Sequence, residues 1–166
     1  MKNIKIELKW AFIFILTMLL WMLFEKSMGW HDEKIADHAT YTNFFAIPAI
    51  LIYVFALLDK KRNTYFGRMS YKQGVVTGLI MTLIIALLSP LAQYVISTYI
   101  TPEYFANVIE HAVTSGKMTL ADAEAYFNLK SYMVQSLIGA IVMGLITTLV
   151  VALFLKSKSE PSVPKA

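Results

Sequence analysis

Five polar side chains sit where the surrounding sequence is apolar: Glu25, Asn43, Ser89, Gln93 and Gln135. Polar groups within long apolar runs are costly to desolvate, and they persist where they bind, pair or relay. Together the five would make a polar pocket for a small solute, with hydrogen bonds and one negative charge. A plainer reading competes: Gln93 and Gln135 bond one another as interhelical glue. Histidine is the other chemistry-bearing type. Imidazole beside carboxylate is a ligand set for zinc and its neighbours, so His31, Asp32, His38 and His111 are the candidate metal ligands. No HExxH or similarly tight pair supports them, and such a loop is more often simply solvated; the same histidines could sense pH. There is no cysteine, hence no thiolate nucleophile and no iron–sulfur cluster. No Gly-rich phosphate loop and no credible Ser-His-Asp arrangement occurs. The residues thus assign no catalytic group, no resident metal and no cofactor.

The elements that must position these residues are long and apolar. The chain has 166 residues, 57% apolar and 16% charged, with a mean hydropathy of +0.57. Soluble domains average about 25% charged residues, and a chain this short could not bury its apolar runs. Disordered, collagen-like, disulfide-stapled and water-soluble enzyme classes are excluded. Spans are expected at about 8–28, 38–58, 74–100 and 132–155, each near the roughly 20 residues a helix needs to cross a bilayer. In lipid each must be helical, since a lone strand leaves its backbone unpaired. Trp10–Phe24 has signal-peptide form but lacks a small-x-small cleavage pattern, so it reads as the first span.

Basic residues set the orientation. Lys2, Lys5, Lys9, Lys60, Lys61, Arg62, Arg68, Lys72, Lys156, Lys158 and Lys165 fall on one side, which is 11 of the 15. Most of the acids lie on the other, among them Glu25, Asp32, Glu33, Asp37, Glu103, Glu110, Asp122 and Glu124. The positive-inside rule then puts both termini in the cytoplasm. The net charge of +4 reflects this asymmetry and carries no nucleic-acid signal. Membrane lipids are the expected surroundings.

The outer segment at about 101–131 is patterned as two amphipathic helices. Thr101-Pro102-Glu103 reads as a helix start, Gly116 as a stop, and Thr119 with Asp122 as a second start. They would lie on the outer leaflet or fold over the mouth of the four spans. Small residues recur every four positions in the third and fourth spans, including Gly74 and Gly78 in one and Ala140 and Gly144 in the other. Such stripes let helices approach closely in a membrane. They face each other within one chain or, alternatively, join two chains. The fold class expected is an all-α membrane protein: four transmembrane helices in a bundle over 1–155, an outer amphipathic helical hairpin between helices 3 and 4, and a disordered cytoplasmic tail at 156–166.

Several strings carry a resemblance: Tyr41-Thr42-Asn43, Ala56-Leu57-Leu58-Asp59-Lys60-Lys61, Tyr71-Lys72-Gln73-Gly74, Leu88-Ser89-Pro90-Leu91-Ala92-Gln93-Tyr94, Ile100-Thr101-Pro102-Glu103-Tyr104-Phe105 and Ala123-Glu124-Ala125-Tyr126-Phe127-Asn128-Leu129. Together they are similar to the bacterial membrane-protein family catalogued as domain of unknown function 4199, over about residues 5–155. The resemblance implies a small four-helix inner-membrane protein and no activity. Two functions remain open. One is a non-enzymatic accessory subunit that binds another membrane protein through the Tyr104–Val113 face. The other is small-solute binding or transport through the outward polar pocket, with a homodimer supplying a missing half. A metal-assisted enzyme built on the histidines has the least behind it.

Overall fold

A computed structural model describes residues 4–157. The tail expected at 156–166 lies outside the described residues from 158 onward. The chain is 82% helix, and no strand occurs among the described residues. Seven α-helices follow in order: α1 (Lys5–Ser27), α2 (Ile35–Tyr41), α3 (Ala46–Asn63), α4 (Tyr71–Val95), α5 (Tyr104–Thr114), α6 (Leu120–Tyr126) and α7 (Leu129–Leu155). A 3-10 turn at Thr42–Phe45 joins α2 to α3, and a π turn at Ile96–Ile100 prolongs α4. Four stretches are long and apolar enough to cross a membrane: Lys5–Ser27, Ile35–Asn63, Tyr71–Ile100 and Leu129–Leu155. The second is longer than the expected 38–58, because α2 and α3 run on through the 3-10 turn.

Local chemistry explains most boundaries. Pro48 has no N–H to give the carbonyl of Phe44, and the chain tightens to 3-10 geometry just before it. Pro90 sits inside α4, where the neighbouring Ser89 hydroxyl donates to the Ile85 carbonyl. Ser70 and Gln73 form a reciprocal capping box at the start of α4. Asn128 caps α7 by accepting from Ser131 N–H, and Thr119 caps α6 by accepting from Asp122 N–H. The start at Thr101 differs from expectation. Its hydroxyl turns back to the Ile96 carbonyl and helps close the π turn, so α5 begins two residues past Pro102, at Tyr104.

The ends of α1 and α5 share a Schellman motif. In the first, Gly29 takes φ +76°, its N–H bonds to the Lys26 carbonyl, and Trp30 N–H bonds to the Glu25 carbonyl. The Trp30 ring packs edge-on against Phe24 at 5.7 Å between centroids, the apolar contact that completes the motif. Gly116, with φ +69°, ends α5 in the same way.

The heaviest packing is between α4 and α7. They run antiparallel with small residues in register: Gly74 lies against Ala152, Gly78 against Thr148, and Gly144 against Thr82. A Cβ on Gly78 would stand 2.4 Å from Thr148 Cγ2, and one on Gly144 only 2.5 Å from Thr82 Cγ2. The core beside this seam holds Ile52, Tyr53, Leu57, Met69, Met81, Ile85 and Val151, with Ala11 from α1. Tyr53 Oη and Thr82 Oγ1 share a hydrogen bond of 2.8 Å. Away from the seam the helices leave large apolar side chains exposed, including Phe12, Leu16, Leu87, Leu91, Met143 and Phe154. A soluble monomer does not show such a surface, whereas lipid tails cover one. Toward the ends of α1 and α3 that meet near Lys60, Glu7 and Lys60 form a buried ion pair with Nζ 2.8 Å from Oε1. Lys9 and Trp10 both reach Asp59.

Candidate functional site

Glu25 stands in the last turn of α1 and is fully buried. A carboxylate out of water must be matched by donors. The Schellman reversal at Gly29 supplies one, because it folds the chain back so that His31 Nε2 stands 2.9 Å from Glu25 Oε2. α2 then runs past the same carboxylate and sets His38 Nε2 3.3 Å from the same oxygen. Trp21, one turn earlier in α1, donates its indole N–H to Oε1. The two imidazoles meet edge to face at 4.9 Å between centroids. One potential ligand atom from each of Glu25, His31 and His38 lies within 4.8 Å of the others.

α5 closes the cluster from the side. Tyr104 packs on both imidazoles, with centroids 5.3 Å and 5.1 Å away, and its hydroxyl lies 3.3 Å from His38 Nδ1 and 3.3 Å from Tyr132 Oη. Burial first, then the neighbouring Tyr132 and the Glu25 carboxylate, push the Tyr104 phenol well above its usual range. It therefore stays a neutral hydroxyl that donates or accepts. Asn107, one turn on, donates to the His31 carbonyl at 2.9 Å and fastens α5 to the reversal. Lys26 donates to the Ile100 carbonyl, tying the end of α1 to the π turn. Trp30 stacks flat on Tyr41 at 4.3 Å. His31 Nδ1 is buried with no hydrogen-bond partner among the described residues.

Beside the histidines lies a cavity of about 190 Å³, lined by Met22, His31, His38, Thr42, Gln93, Ile96, Ser97, Thr101, Tyr104 and Tyr132. Its polar groups come from α2, α4, the two irregular turns, α5 and α7. Gln93 spends one donor on Ser97, one turn along its own helix.

The residues singled out from sequence separate into four places. Glu25 and Gln93 belong to the cluster and its cavity. Asn43 and Ser89 instead line a larger, mostly apolar cavity of about 360 Å³, bounded by Phe14, Tyr53, Ile85, Gly139 and Met143. Asn43 also donates to the Ala39 carbonyl. Gln135 is exposed on α7, donating to Ser131 and accepting from Tyr126, so the expected Gln93–Gln135 bond gives way to bonds within each residue's own segment. Of the four metal candidates, His31 and His38 converge, while Asp32 and His111 line a shallow depression with Glu110 and Thr114. Sequence reasoning missed Trp21, Thr42, Ser97, Thr101 and Tyr132 as site residues and took Tyr104 only as part of an outer contact face. It also left Glu25 out of the ligand set. One readable signal was Gly29, four residues past Glu25, with Phe24 five residues before it and Trp30 directly after, which has the pattern of a Schellman reversal.

A family model described as "Protein of unknown function (DUF4199)" matches residues 9–157. No curated protein and no solved structure matches the chain.

Proposed function

Given that the chain belongs to the DUF4199 family, whose description carries no activity, we propose that it is a membrane-integral protein that binds a small polar ligand in the cavity beside Glu25. The buried carboxylate carries this reading. An apolar residue would serve packing better at the end of an apolar helix, and buried ionic groups add little to stability. Here three donors hold the carboxylate in place, and polar side chains from five further segments face the adjoining space. The bias of basic residues toward the Lys60 end supports a cytoplasmic location for that end and for both termini, in an inner membrane, with the cavity opening outward. On that orientation α5 and α6 form an outer hairpin, and α5 walls the cavity.

The accessory-subunit reading has less support. Its contact face on α5 is half-buried, with Ala112 fully so, and Tyr104 and Phe105 pack on Tyr132. That face is spent within the chain.

Native mass spectrometry of the protein, gently extracted from its own membrane, tests the proposal. The expected result is a small non-lipid mass on the wild-type chain that Gln93→Leu loses and Gln135→Leu retains. A stable complex with another protein and no such mass would move the conclusion to the accessory reading. A bare chain in all three samples would overturn ligand binding.

A further inference from the structure

Resting on the cavity reading above, we propose that Glu25, His31 and His38 together hold one divalent first-row transition-metal ion, with zinc-like geometry, at the wall of that cavity. Two imidazoles and one carboxylate form the three-ligand set of open zinc and non-haem iron sites, which leave a position for water or substrate.

Spacing suits such an ion. Zinc bonds of about 2.0–2.1 Å in a tetrahedron put the ligand atoms roughly 3.3 Å apart. Glu25 Oε2 is 2.9 Å from one histidine nitrogen and 3.3 Å from the other. An ion entering between them widens the shorter of these gaps by a few tenths of an ångström, and all three candidate ligand atoms lie within 4.8 Å of one another. The ion also replaces hydrogen bonds with a stronger match for the buried negative charge. The surroundings resemble the outer shell that metal ligands need. The Tyr104 hydroxyl faces His38 Nδ1 and orients that ring. Trp21 holds the second carboxylate oxygen, and Asn107 anchors the backbone of His31.

Two further observations point the same way. His31 is 4% exposed, so its ring is held beside the Glu25 carboxylate out of reach of bulk water. Both imidazoles also line the cavity, so a fourth coordination position would face Gln93, Ser97 and Thr101. There a bound water or a polar ligand could complete the coordination.

The test uses the full chain in detergent, stripped with a chelator and titrated with Co²⁺ under visible absorption, then with zinc as competitor. One Co²⁺ per chain, with the intense bands of four-coordinate cobalt and displacement by zinc, is expected. Tyr104→Phe should weaken binding by about 10–100-fold, the usual loss on removing an outer-shell partner. Glu25→Gln and His38→Gln should weaken it further, and His111→Gln should leave it unchanged. Wild type that takes up no Co²⁺ overturns the metal site, whether or not the variants fold. Equal affinity in wild type and His38→Gln, whose target side chain is partly exposed, also overturns it. If Co²⁺ uptake fails while the Gln93-dependent mass persists, the metal falls and ligand binding stands. If Co²⁺ binds and no such mass is found, the metal stands and the separate polar ligand falls.

Discussion

The carboxylate of Glu25 and that of Glu7 solve one problem in two ways. Each is buried at an end of α1, but Glu7 faces an ammonium group whereas Glu25 faces two imidazoles and an indole. Removing one partner of a buried ion pair typically costs about 3–5 kcal/mol. Glu7→Leu should accordingly lower the thermal midpoint sharply, and Glu7→Leu/Lys60→Met should recover much of the loss. A double variant no better than the single would show that the loss comes from the pair itself and not from the Lys60 charge left in place. Tyr104 gives a pH prediction. Its phenol resists ionisation when folded, while an unfolded tyrosine ionises near pH 10. Between those two points the unfolded chain sheds a proton that the folded one keeps, so stability falls as pH rises through about 10. Tyr104→Phe should flatten that decline in thermal melts between pH 9 and about 11, and an unchanged slope would contradict the assignment.

At the scale of elements, the reversal at Gly29 is the joint that makes the cluster. Its φ of +76° lies in the left-handed region, and Asp32 Oδ1 would be 3.3 Å from an added Cβ. Gly29→Ala should cost about 1–2 kcal/mol in backbone strain and loosen His31 from Glu25, read as a lower midpoint together with weaker Co²⁺ uptake. A variant with a lower midpoint and unchanged uptake would detach the reversal from the site. The α4–α7 seam supplies a second test. Gly78→Ala forces a methyl into Thr148, and overpacking of this kind costs about 1–3 kcal/mol. Gly78→Ala/Thr148→Ala clears the space and should restore part of the midpoint. These two elements also mark how far the sequence could be read. The four long helices were legible because length and apolarity are local properties, and so was the cap at Thr119, whereas the equally local caps at Ser70 and Asn128 went unread. The Glu25–His31–His38 meeting was not. His31 and His38, seven apart, suggest one helix face, yet His31 sits in a turn and only His38 lies on α2. Their convergence depends on a reversal and a crossing, which hydrophobic periodicity does not encode. Asn43 and Ser89 misled in the opposite way: their depth along the helices suited a polar pocket, but their azimuth turned them toward the apolar cavity.

The whole molecule is asymmetric in how tightly it is packed. α4 and α7 meet through small residues with almost no spare space, whereas the 360 Å³ apolar cavity opens where α1, α3, α4 and α7 come together. Charge is asymmetric as well, and orientation can be tested directly because the chain has no cysteine. Ser115→Cys, just past α5, should react with a membrane-impermeant maleimide on intact cells, while Thr64→Cys, just past α3, should react only after permeabilisation. The reverse pattern would invert the proposed orientation. The close α4–α7 register also has a historical consequence. Because Gly78 and Thr148 share one space, and Gly144 and Thr82 another, neither partner can enlarge alone. Across lineages, growth at one position should be matched by shrinkage at its opposite number, so the seam is inherited as coupled pairs, while lipid-facing Leu87 or Phe154 is free to drift among apolar residues.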